Sequence, residues 1–573
     1  MRLSEKTTTH FTERGVDVVI SLWKSPALFS FTITSILFSI QLFFIHPFYL
    51  VNDDIFKILT VRGMAADPTP SPFVGYSNIL MGYLLMKLFA WIPSFPWYGC
   101  FLCLVQFLTF WVFLWSLCLK PSRWIHALFF IGAWICLFFI FFTYMQFTET
   151  ALLAAFVGLI AFFGKSETSN GGRHNGILAA ACLLLLLSSF IRMDSFLLAL
   201  LIFMPRLIFL FKEKGFLEHV PRRRLFLGLT VLGVLFLWAS NFFWYQSNKD
   251  WAEYRQFDQA RVELQDYRIS EYSPQTKPYF DSVGWSENDF WLFKNWYYTN
   301  PQKFNAETFR KLANFFPRIG SSGKISSHPD LLELFFSPWD FRMMLGFLIF
   351  LIFCPRKIWK YLFFQWFWIQ LVFLALIYFY RAPDRVTLPI TAFLVMLSIF
   401  YAEKPPAYQR GESWLFSLKL IILSAIFCFS LASPLYYHRD NLAKRLVQAQ
   451  LHTFLAMVKP QDNQLYVTWY FPYEELGVFD NLDCLKPFHL FLTEFCQTSP
   501  ASLKGLERFG VREPLRDAVD NPNVFVMCTQ EDGLHYHRYM EENYHQEIYA
   551  VPVFKCVHFE TYSIHSRKKI HQL

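Results

Sequence analysis

The stretch ALFSFTITSILFSIQLFFIHPFYL, residues 27–50, contains no Lys, Arg, Asp or Glu and is long enough to cross a bilayer. Apolar runs of the same character recur through most of the chain. Of its 573 residues, 54% are hydrophobic, 20% are aromatic and only 17% are charged. A soluble chain of this length needs more charge to cover its surface. We therefore exclude a soluble enzyme, a disordered chain and a nucleic-acid-binding protein, and we predict a polytopic α-helical membrane protein.

Lysine and arginine in short loops mark the cytoplasmic side of a membrane protein. The basic loops of this chain all fall inside only if the run at 76–92 lies on the outer surface instead of spanning. Lys87 within that run, and Pro93 and Pro96 after it, also argue against a spanning helix. We predict about eleven transmembrane helices, with the N-terminus inside and the C-terminus outside. The runs expected to form them are 27–50, 97–119, 124–145, 150–163, 177–190, 196–211, 225–243, 341–354, 361–380, 386–402 and 414–434.

This topology predicts a cytoplasmic tail at 1–26, a transmembrane domain at 27–434 and an extracytoplasmic domain at 435–573. Two long loops, 51–96 and 244–340, then lie on the outer face. The C-terminal region alternates helical and strand-like patterns, which predicts a small α/β or α+β domain. Its expected elements are a helix at 443–458 and strands at 464–470, 524–528 and 548–559.

The cysteines and asparagines bear on the compartment. The C-terminal region carries four cysteines without the spacing of a metal site, Cys484, Cys496, Cys528 and Cys556. No Asn is followed two positions later by Ser or Thr, although an outer region of this size in a lumenal eukaryotic protein usually carries such an acceptor site. We therefore expect a bacterial cytoplasmic (inner) membrane, with the lipid bilayer as a partner.

Charged residues at a membrane boundary are costly unless they are paired or used. Asp53 and Asp54 directly follow the first apolar run. Two adjacent carboxylates at this position can bind a divalent metal or supply a general base, and the alternative is a solvated helix cap. Glu149 lies in the turn QFTET, residues 146–150, between two apolar helices. Here the alternative is an acidic residue favoured by the helix dipole.

Arginines form the third set of candidates. Arg192 and Asp194 lie in one short turn and Arg381 and Arg385 in another, both predicted on the outer face. Guanidinium groups suit bidentate phosphate binding. The alternative is an arginine that reaches the lipid headgroups or pairs with an acidic neighbour.

The outer loop at 244–340 carries WSENDFW, residues 285–291, in which aromatic rings are interleaved with acid and amide groups. Trp285, Asp289 and Trp291 suit contacts to sugar faces or to polyprenyl chains. The alternative is a helix that lies on the membrane interface. Together with Lys87 and Asp194, these three residues are the candidates for substrate contacts.

The layout of these residues resembles the GT-C membrane glycosyltransferases over most of residues 27–434. An acidic pair follows the first span, and the segment GYSNILMGYLLMKLFAWIPSFPWYG after it is similar to a segment of aminoarabinose and protein-mannose transferases. The turn FTETALL resembles the acidic hairpin motif of arabinofuranosyl-type transferases, and FIRMDSFLLAL resembles their Arg-x-Asp motif. The resemblance implies transfer of a sugar from a polyprenyl-phosphate donor to a cell-envelope glycan or lipid on the outer face of the membrane.

The resemblance also implies roles for single residues. Asp53 or Asp54 would be the base that activates the acceptor hydroxyl, and we place Asp54 first and Asp53 second. Glu149 would be a second acidic or metal-binding group, and Arg192 would contact the lipid phosphate. We add Arg381 and Arg385 to the phosphate site on electrostatic grounds. The cofactor to consider is a divalent ion (Mg, Mn, Ca or Zn) held by Asp53, Asp54 and Glu149.

Three other functions remain open at this point. An O-antigen polymerase or ligase has a similar polytopic core but depends chiefly on basic residues. A lipid-linked glycan transporter usually shows internal repeats and charges in mid-span, whereas the spans here are nearly free of charge. A scaffold would use the C-terminal domain to bind a partner and would not need Asp54.

Overall fold

The structure is a computed structural model that describes residues 25–120, 123–164, 171–212, 221–268, 270–316, 338–403, 437–555 and 560–567. The predicted span at 414–434 and residues 1–24 of the predicted N-terminal tail lie outside the described residues. The other predicted apolar runs form helices.

The helices follow one another closely along the membrane part of the chain. In the first half they are α1 Pro26–Phe44, α2 Asp53–Arg62, α3 Ile79–Trp91, α4 Trp97–Cys118, α5 Arg123–Thr143, α6 Phe147–Phe163, α7 Gly171–Ile191, α8 Met193–Lys212 and α9 Pro221–Ser247. A π-helical turn, Trp134–Phe138, interrupts α5. The following helices are α10 Lys249–Gln265, α11 Lys277–Asp281, α12 Glu287–Lys294, α13 Ala306–Phe315, α14 Pro338–Ile352, α15 Arg356–Phe379 and α16 Asp384–Tyr401.

Six of the described helices, α1, α4, α5, α9, α15 and α16, are long and apolar enough to cross a membrane. By helix length and hydropathy the chain is therefore a multi-pass membrane protein. The expectation of about eleven spans is therefore confirmed only in part. Four further apolar helical segments among the described residues, Ile79–Trp91, Phe147–Phe163, Asn175–Ile191 and Phe341–Ile352, are shorter, between 10 and 17 residues. One of them is α3, the run predicted to lie on the outer surface. Its 13 residues extend about 20 Å, less than the thickness of the hydrocarbon core.

Helices α6 and α16 lie inside the bundle. Nearly every residue of α6 is buried, as expected for a helix that is apolar on all sides. Phe156 of α6 stacks on Phe393 of α16, with ring centroids 4.4 Å apart. By contrast, only 6% of the apolar window of α9 is buried. The first turn of α6, which carries Glu149, is therefore surrounded by protein.

A short parallel pair of strands brings two acidic segments side by side. Strand β1, Phe48–Tyr49, follows α1 and pairs with β2, Tyr144–Met145, which follows α5. The amide of Leu50 extends the pair by donating to the carbonyl of Met145 (2.9 Å). Since α2 and α6 each begin a few residues after these strands, the pairing places their first turns next to each other.

The C-terminal region contains a mixed five-stranded sheet in the order β4-β3-β5-β7-β6. Strands β4, β3 and β5 are parallel, whereas β7 is antiparallel to both β5 and β6. The strands are β3 Leu465–Thr468, β4 His489–Leu492, β5 Val524–Cys528, β6 Ile548–Lys555 and β7 Glu560–Ser566. The helices of this region are α17 (437–457), α18 Pro500–Arg508, α19 Pro514–Asp517 and α20 Gln530–Tyr544. A mixture of helices and strands was predicted here, but β4 and β7 were not.

The sheet packs between two hydrophobic cores. Val524 and Val526 of β5 belong to a core that includes the loop helices α12 and α13. The alternate residues Phe525 and Met527 belong to the core that includes the transmembrane helices. Because both faces are covered, all of β5 is buried and its sequence is a continuous apolar run. The loop helices after α10 and the C-terminal region thus share one core.

Candidate functional site

Several helix starts that carry predicted functional residues meet at one end of the bundle. Asp54, at the start of α2, interacts electrostatically with Arg385, at the start of α16. Glu149, at the start of α6, interacts with both of them. Arg192, just before α8, interacts with Arg385 and with Asp53. We call this group the charged cluster, and its members are Asp53, Asp54, Lys57, Glu149, Arg192 and Arg385.

Asp54 is fully buried, with 0% of its surface exposed. Its Oδ1 accepts a hydrogen bond from the hydroxyl of Tyr98 on α4. Its Oδ2 has no hydrogen-bond partner among the described residues. Burial raises the pKa of the Asp54 carboxyl from 3.8 to about 7, against the lowering effects of Lys57 and Tyr98. A carboxylate with one oxygen held, one oxygen without a partner and a pKa near neutrality is suited to accept a proton.

Lys57 lies one turn after Asp54 on the same face of α2 and is 1% exposed. Its Nζ lies 3.3 Å from the centroid of the Phe147 ring and has no hydrogen-bond partner within the described ranges. Burial lowers the pKa of the Lys57 amine from 10.5 to about 8, whereas Asp54 and Asp53 raise it. The protonated amine therefore supplies positive charge beside the two carboxylates at neutral pH.

Glu149 is held by the cap of its own helix. The Oε1 of Gln146 accepts hydrogen bonds from the amides of Thr148 (2.5 Å) and Glu149 (3.0 Å). The Glu149 carboxylate makes no hydrogen bond or ion pair to any residue that the structure describes. The hydroxyl of Thr148 accepts a hydrogen bond from Nη1 of Arg192 (2.6 Å). One turn of α6 thus positions both the acidic group and the guanidinium group.

Two of the predicted arginines, Arg192 and Arg385, lie in the charged cluster (the inner arginines), whereas Arg381 lies at the protein surface. The guanidinium carbon of Arg192 lies 5.3 Å from the Phe147 ring centroid. Arg385 Nη1 lies 4.0 Å from Asp53 Oδ2. Arg381 instead donates to Asp266 Oδ1 just beyond the end of α10 (2.9 Å), and 53% of its side chain is exposed. Two of the three predicted phosphate-binding arginines therefore belong to the charged cluster.

Three of the predicted substrate contacts lie in the core that α12 and α13 share with the C-terminal region. Trp285 is buried and its Nε1 donates to the carbonyl of Lys303 (3.0 Å). Asp289 closes the capping box of α12 and pairs with Lys303. Trp291 stacks on His535 of α20, with ring centroids 3.5 Å apart. These packing contacts account for the residue types at all three positions.

The other two predicted substrate contacts are exposed. Lys87 lies on α3 and makes no ion pair within the described part of the chain. Asp194 lies in the first turn of α8, two residues after Arg192. Of the five, only Asp194 lies next to the charged cluster.

The described residues contain no group of three or more His, Cys, Asp and Glu side chains that could hold a metal ion. Among the predicted ligands, Asp54 interacts with both Asp53 and Glu149, but cationic groups of the chain lie among them. Lys57 interacts with Asp53 and Asp54, and Arg385 interacts with Asp54 and Glu149. Asp53, Asp54 and Glu149 therefore do not fit a metal site, and the proposed chemistry uses protein groups only.

A cavity of about 540 Å³ borders the charged cluster. This volume is within the range of sites for small molecules. Met193 and Asp194, which follow Arg192, form part of the wall. The rest comes from the segment 73–77, from α9, from α10 and the residue Tyr267 after it, and from Phe495 of the C-terminal region. The aromatic side chains of the wall are Phe73, Tyr76, Tyr245, Tyr254, Tyr267 and Phe495.

The backbone beside the cavity has an unusual conformation. Gly75 and Tyr76 both have positive φ, 41° and 52°. A Cβ on Gly75 would lie 2.6 Å from the Phe495 ring, so only glycine fits at this position. The Tyr76 hydroxyl accepts a hydrogen bond from Nη2 of Arg261 (3.2 Å). Left-handed backbone at a tyrosine is strained, and such strain is typical of ligand-binding sites.

Sequence reasoning missed four residues of this region. Lys57 had a usable signal, because a lysine three positions after Asp54 lies on the same helix face. Tyr98, Tyr76 and Phe495 had none, since their contacts depend on how distant segments pack.

Comparison of this chain with protein-family models, with curated proteins and with solved structures gives no match. The resemblance to GT-C transferases therefore depends on the short segments quoted above.

Proposed function

We propose that the chain is a membrane glycosyltransferase of the GT-C type. It moves a sugar from a polyprenyl-phosphate donor to a cell-envelope glycan or lipid, on the outer face of the bacterial cytoplasmic membrane. The observation that carries the proposal is the buried Asp54 carboxylate, whose Oδ2 has no partner among the described residues, in one cluster with Arg192 and Arg385. A candidate base and two candidate phosphate-binding groups thus lie together at one end of the helix bundle.

The proposed reaction is a single displacement at the anomeric carbon. The acceptor oxygen forms a bond to that carbon while the bond from the carbon to the donor phosphate oxygen breaks. The bonding electrons leave with the phosphate, and the acceptor hydroxyl proton passes to Asp54 Oδ2. The phosphate is a competent leaving group without protonation, so no second acid is required. Glu149 adds negative charge near a sugar ring that becomes positive in the transition state.

The leaving phosphate gains negative charge, which the two inner arginines can stabilise. Arg192 is fixed by its hydrogen bond to Thr148. Arg385 lies 4.0 Å from Asp53, a loose contact that leaves guanidinium N–H groups for a phosphate. Cations placed before the reaction begins stabilise developing charge more effectively than water does.

A transfer assay tests the proposal. The purified full chain in liposomes is given a panel of radiolabelled polyprenyl-phosphate sugars (hexoses, N-acetylhexosamines and pentoses), with an envelope extract as acceptor. We expect one donor class to pass its label to the extract and to release polyprenyl phosphate. No transfer from any donor contradicts the proposal. Movement of intact labelled lipid across the bilayer, without bond cleavage, contradicts it as well and indicates a transporter.

A further inference from the structure

We infer that the cavity of about 540 Å³ beside the charged cluster binds a neutral sugar unit of the acceptor. This inference rests on the proposed function, because a sugar transfer is what requires an acceptor site. The volume is sufficient for one or two sugar rings. The charge balance of the wall, its aromatic and polar side chains and its position relative to Arg192 support this assignment.

The charges of the cavity wall cancel once the two arginines that pair with its acidic residues are counted. Asp258 pairs with Arg261 (Oδ1 to Nη2, 2.6 Å), and Glu263 pairs with Arg268. Two wall residues of opposite sign make no ion pair within the described part of the chain, namely Asp194 and Arg255. A wall of this kind attracts neither an anion nor a cation strongly, so it favours an uncharged ligand.

The uncharged groups of the wall suit a sugar. A sugar ring has apolar C–H faces and a polar edge of hydroxyl groups, and aromatic rings beside amide and hydroxyl groups complement both. The hydroxyl of Tyr254 donates a hydrogen bond to the carbonyl of Phe495 (2.9 Å), which holds the tyrosine in place. The hydroxyl of Ser77, whose residue is 5% exposed, has no hydrogen-bond partner among the described residues. An orphaned buried hydroxyl on the wall of a cavity gains a partner when a polyol binds.

The position of the cavity assigns it to the acceptor instead of the donor. Its outer wall is formed by α10 and Phe495, which belong to the outer loop and to the C-terminal region. The guanidinium carbon of Arg192 lies 5.6 Å from the ring centroid of Tyr76, which is part of the wall. A sugar in the cavity can therefore present a hydroxyl toward the charged cluster while the lipid phosphate lies with the arginines.

Two glutamines on α10 provide a matched pair of variants. Gln259 lines the cavity, whereas Gln256 does not, and both side chains are exposed. Gln259→Trp should fill the cavity without removing a buried contact, and Gln256→Trp should add the same ring outside it. Binding is measured by saturation-transfer NMR on the full chain in nanodiscs, with methyl glycosides of neutral hexoses and N-acetylhexosamines as probes.

We expect wild type and Gln256→Trp to bind one class of glycoside, and Gln259→Trp to lose at least about tenfold in affinity. Binding should change little between 50 and 500 mM salt, because no net charge is involved. Binding by no probe overturns the inference, and so does equal binding by both variants. If Gln259→Trp raises KM for the donor and not for the acceptor, the assignment to the acceptor is overturned. The two proposals can also fail separately. If the chain transfers no sugar but glycoside binding is lost in Gln259→Trp, the cavity is still a sugar site and only the proposed transferase function is contradicted.

Discussion

The hydroxyl of Tyr98 donates a hydrogen bond to the buried carboxylate of Asp54, which connects the start of α4 to the start of α2. The bond occupies Oδ1 and leaves Oδ2 without a partner among the described residues. A donor to the charged form of a carboxyl lowers its pKa, and here it acts against burial, which raises the pKa of Asp54 to about 7. Tyr98 therefore helps to keep the proposed base ionised at neutral pH.

Replacing Asp54 should remove activity without unfolding the protein. Asp54→Asn keeps the shape and the hydrogen bond from Tyr98 but removes the base, so we expect kcat to fall by about 100-fold or more. The thermal unfolding midpoint should not fall, because the variant removes a charge that is costly to bury. The control is Asp53→Asn, since Asp53 is partly exposed and lies next to Arg385. Equal losses for the two variants in the transfer assay would contradict the assignment.

The transfer rate should depend on pH in a bell-shaped manner. Activity rises as pH increases through about 7, because Asp54 must lose its proton to act as a base. It falls above about 8, because Lys57 loses the positive charge that balances the cluster. Tyr98→Phe removes a contact that lowers the pKa of Asp54, so its rising limb should move to higher pH. A rising limb that stays in place would exclude Asp54 as the titrating group.

Much of the membrane architecture could be predicted because apolar runs carry their own signal. Helix α6 was predicted from its composition at 150–163, but it begins at Phe147, within the turn predicted at 146–150. Ten spans were predicted within the described residues and six helices there have membrane length, because a run of apolar residues does not show where a helix is capped. The last predicted span, residues 414–434, lies outside the described residues.

The site could be predicted only where a charged residue lies in an apolar context. Asp54, Glu149 and Arg192 stand out for this reason, since each charge has a cost at a helix end near the membrane. Asp289 has the same residue type, but its partner Lys303 comes from elsewhere in the loop. Sequence alone cannot separate an acid that is paired inside a fold from one that faces a ligand. Tyr76 could not be found either, because its backbone conformation has no signal in residue type.

The left-handed backbone at Gly75 should make that position sensitive to substitution. Gly75→Ala forces a Cβ against the Phe495 ring and strains the positive φ, so we expect a loss of roughly 1–3 kcal/mol in the free energy of unfolding. Gly533→Ala is the control. That glycine lies in α20 with open space around it, and alanine should stabilise the helix by about 0.5–1 kcal/mol. Thermal unfolding of both variants in detergent measures the difference, and a tolerated Gly75→Ala would show that the contact with Phe495 yields easily.

Asp289 should contribute to stability and not to substrate binding. It is buried and paired with Lys303, so Asp289→Ala leaves a cation unpaired and should cost on the order of 3 kcal/mol. The control is Asp281→Ala, which breaks the exposed pair with Lys277 and should leave the unfolding midpoint nearly unchanged. In the folded fraction of Asp289→Ala, KM should match the wild type. A large rise in KM for Asp289→Ala, with unchanged stability, would instead indicate that Asp289 contacts the substrate.

Binding of polyprenyl phosphate to the purified chain tests the central claim most directly, because it separates the phosphate site from the base. We predict that wild type and Asp54→Asn bind with similar affinity, whereas Arg192→Gln binds at least about tenfold more weakly. Arg381→Gln, the exposed control, should bind within about threefold of wild type. Native mass spectrometry of the chain in lipid nanodiscs can measure all four proteins. Binding by Arg192→Gln at wild-type strength, or binding by none of the four, would contradict a polyprenyl-phosphate site at the charged cluster.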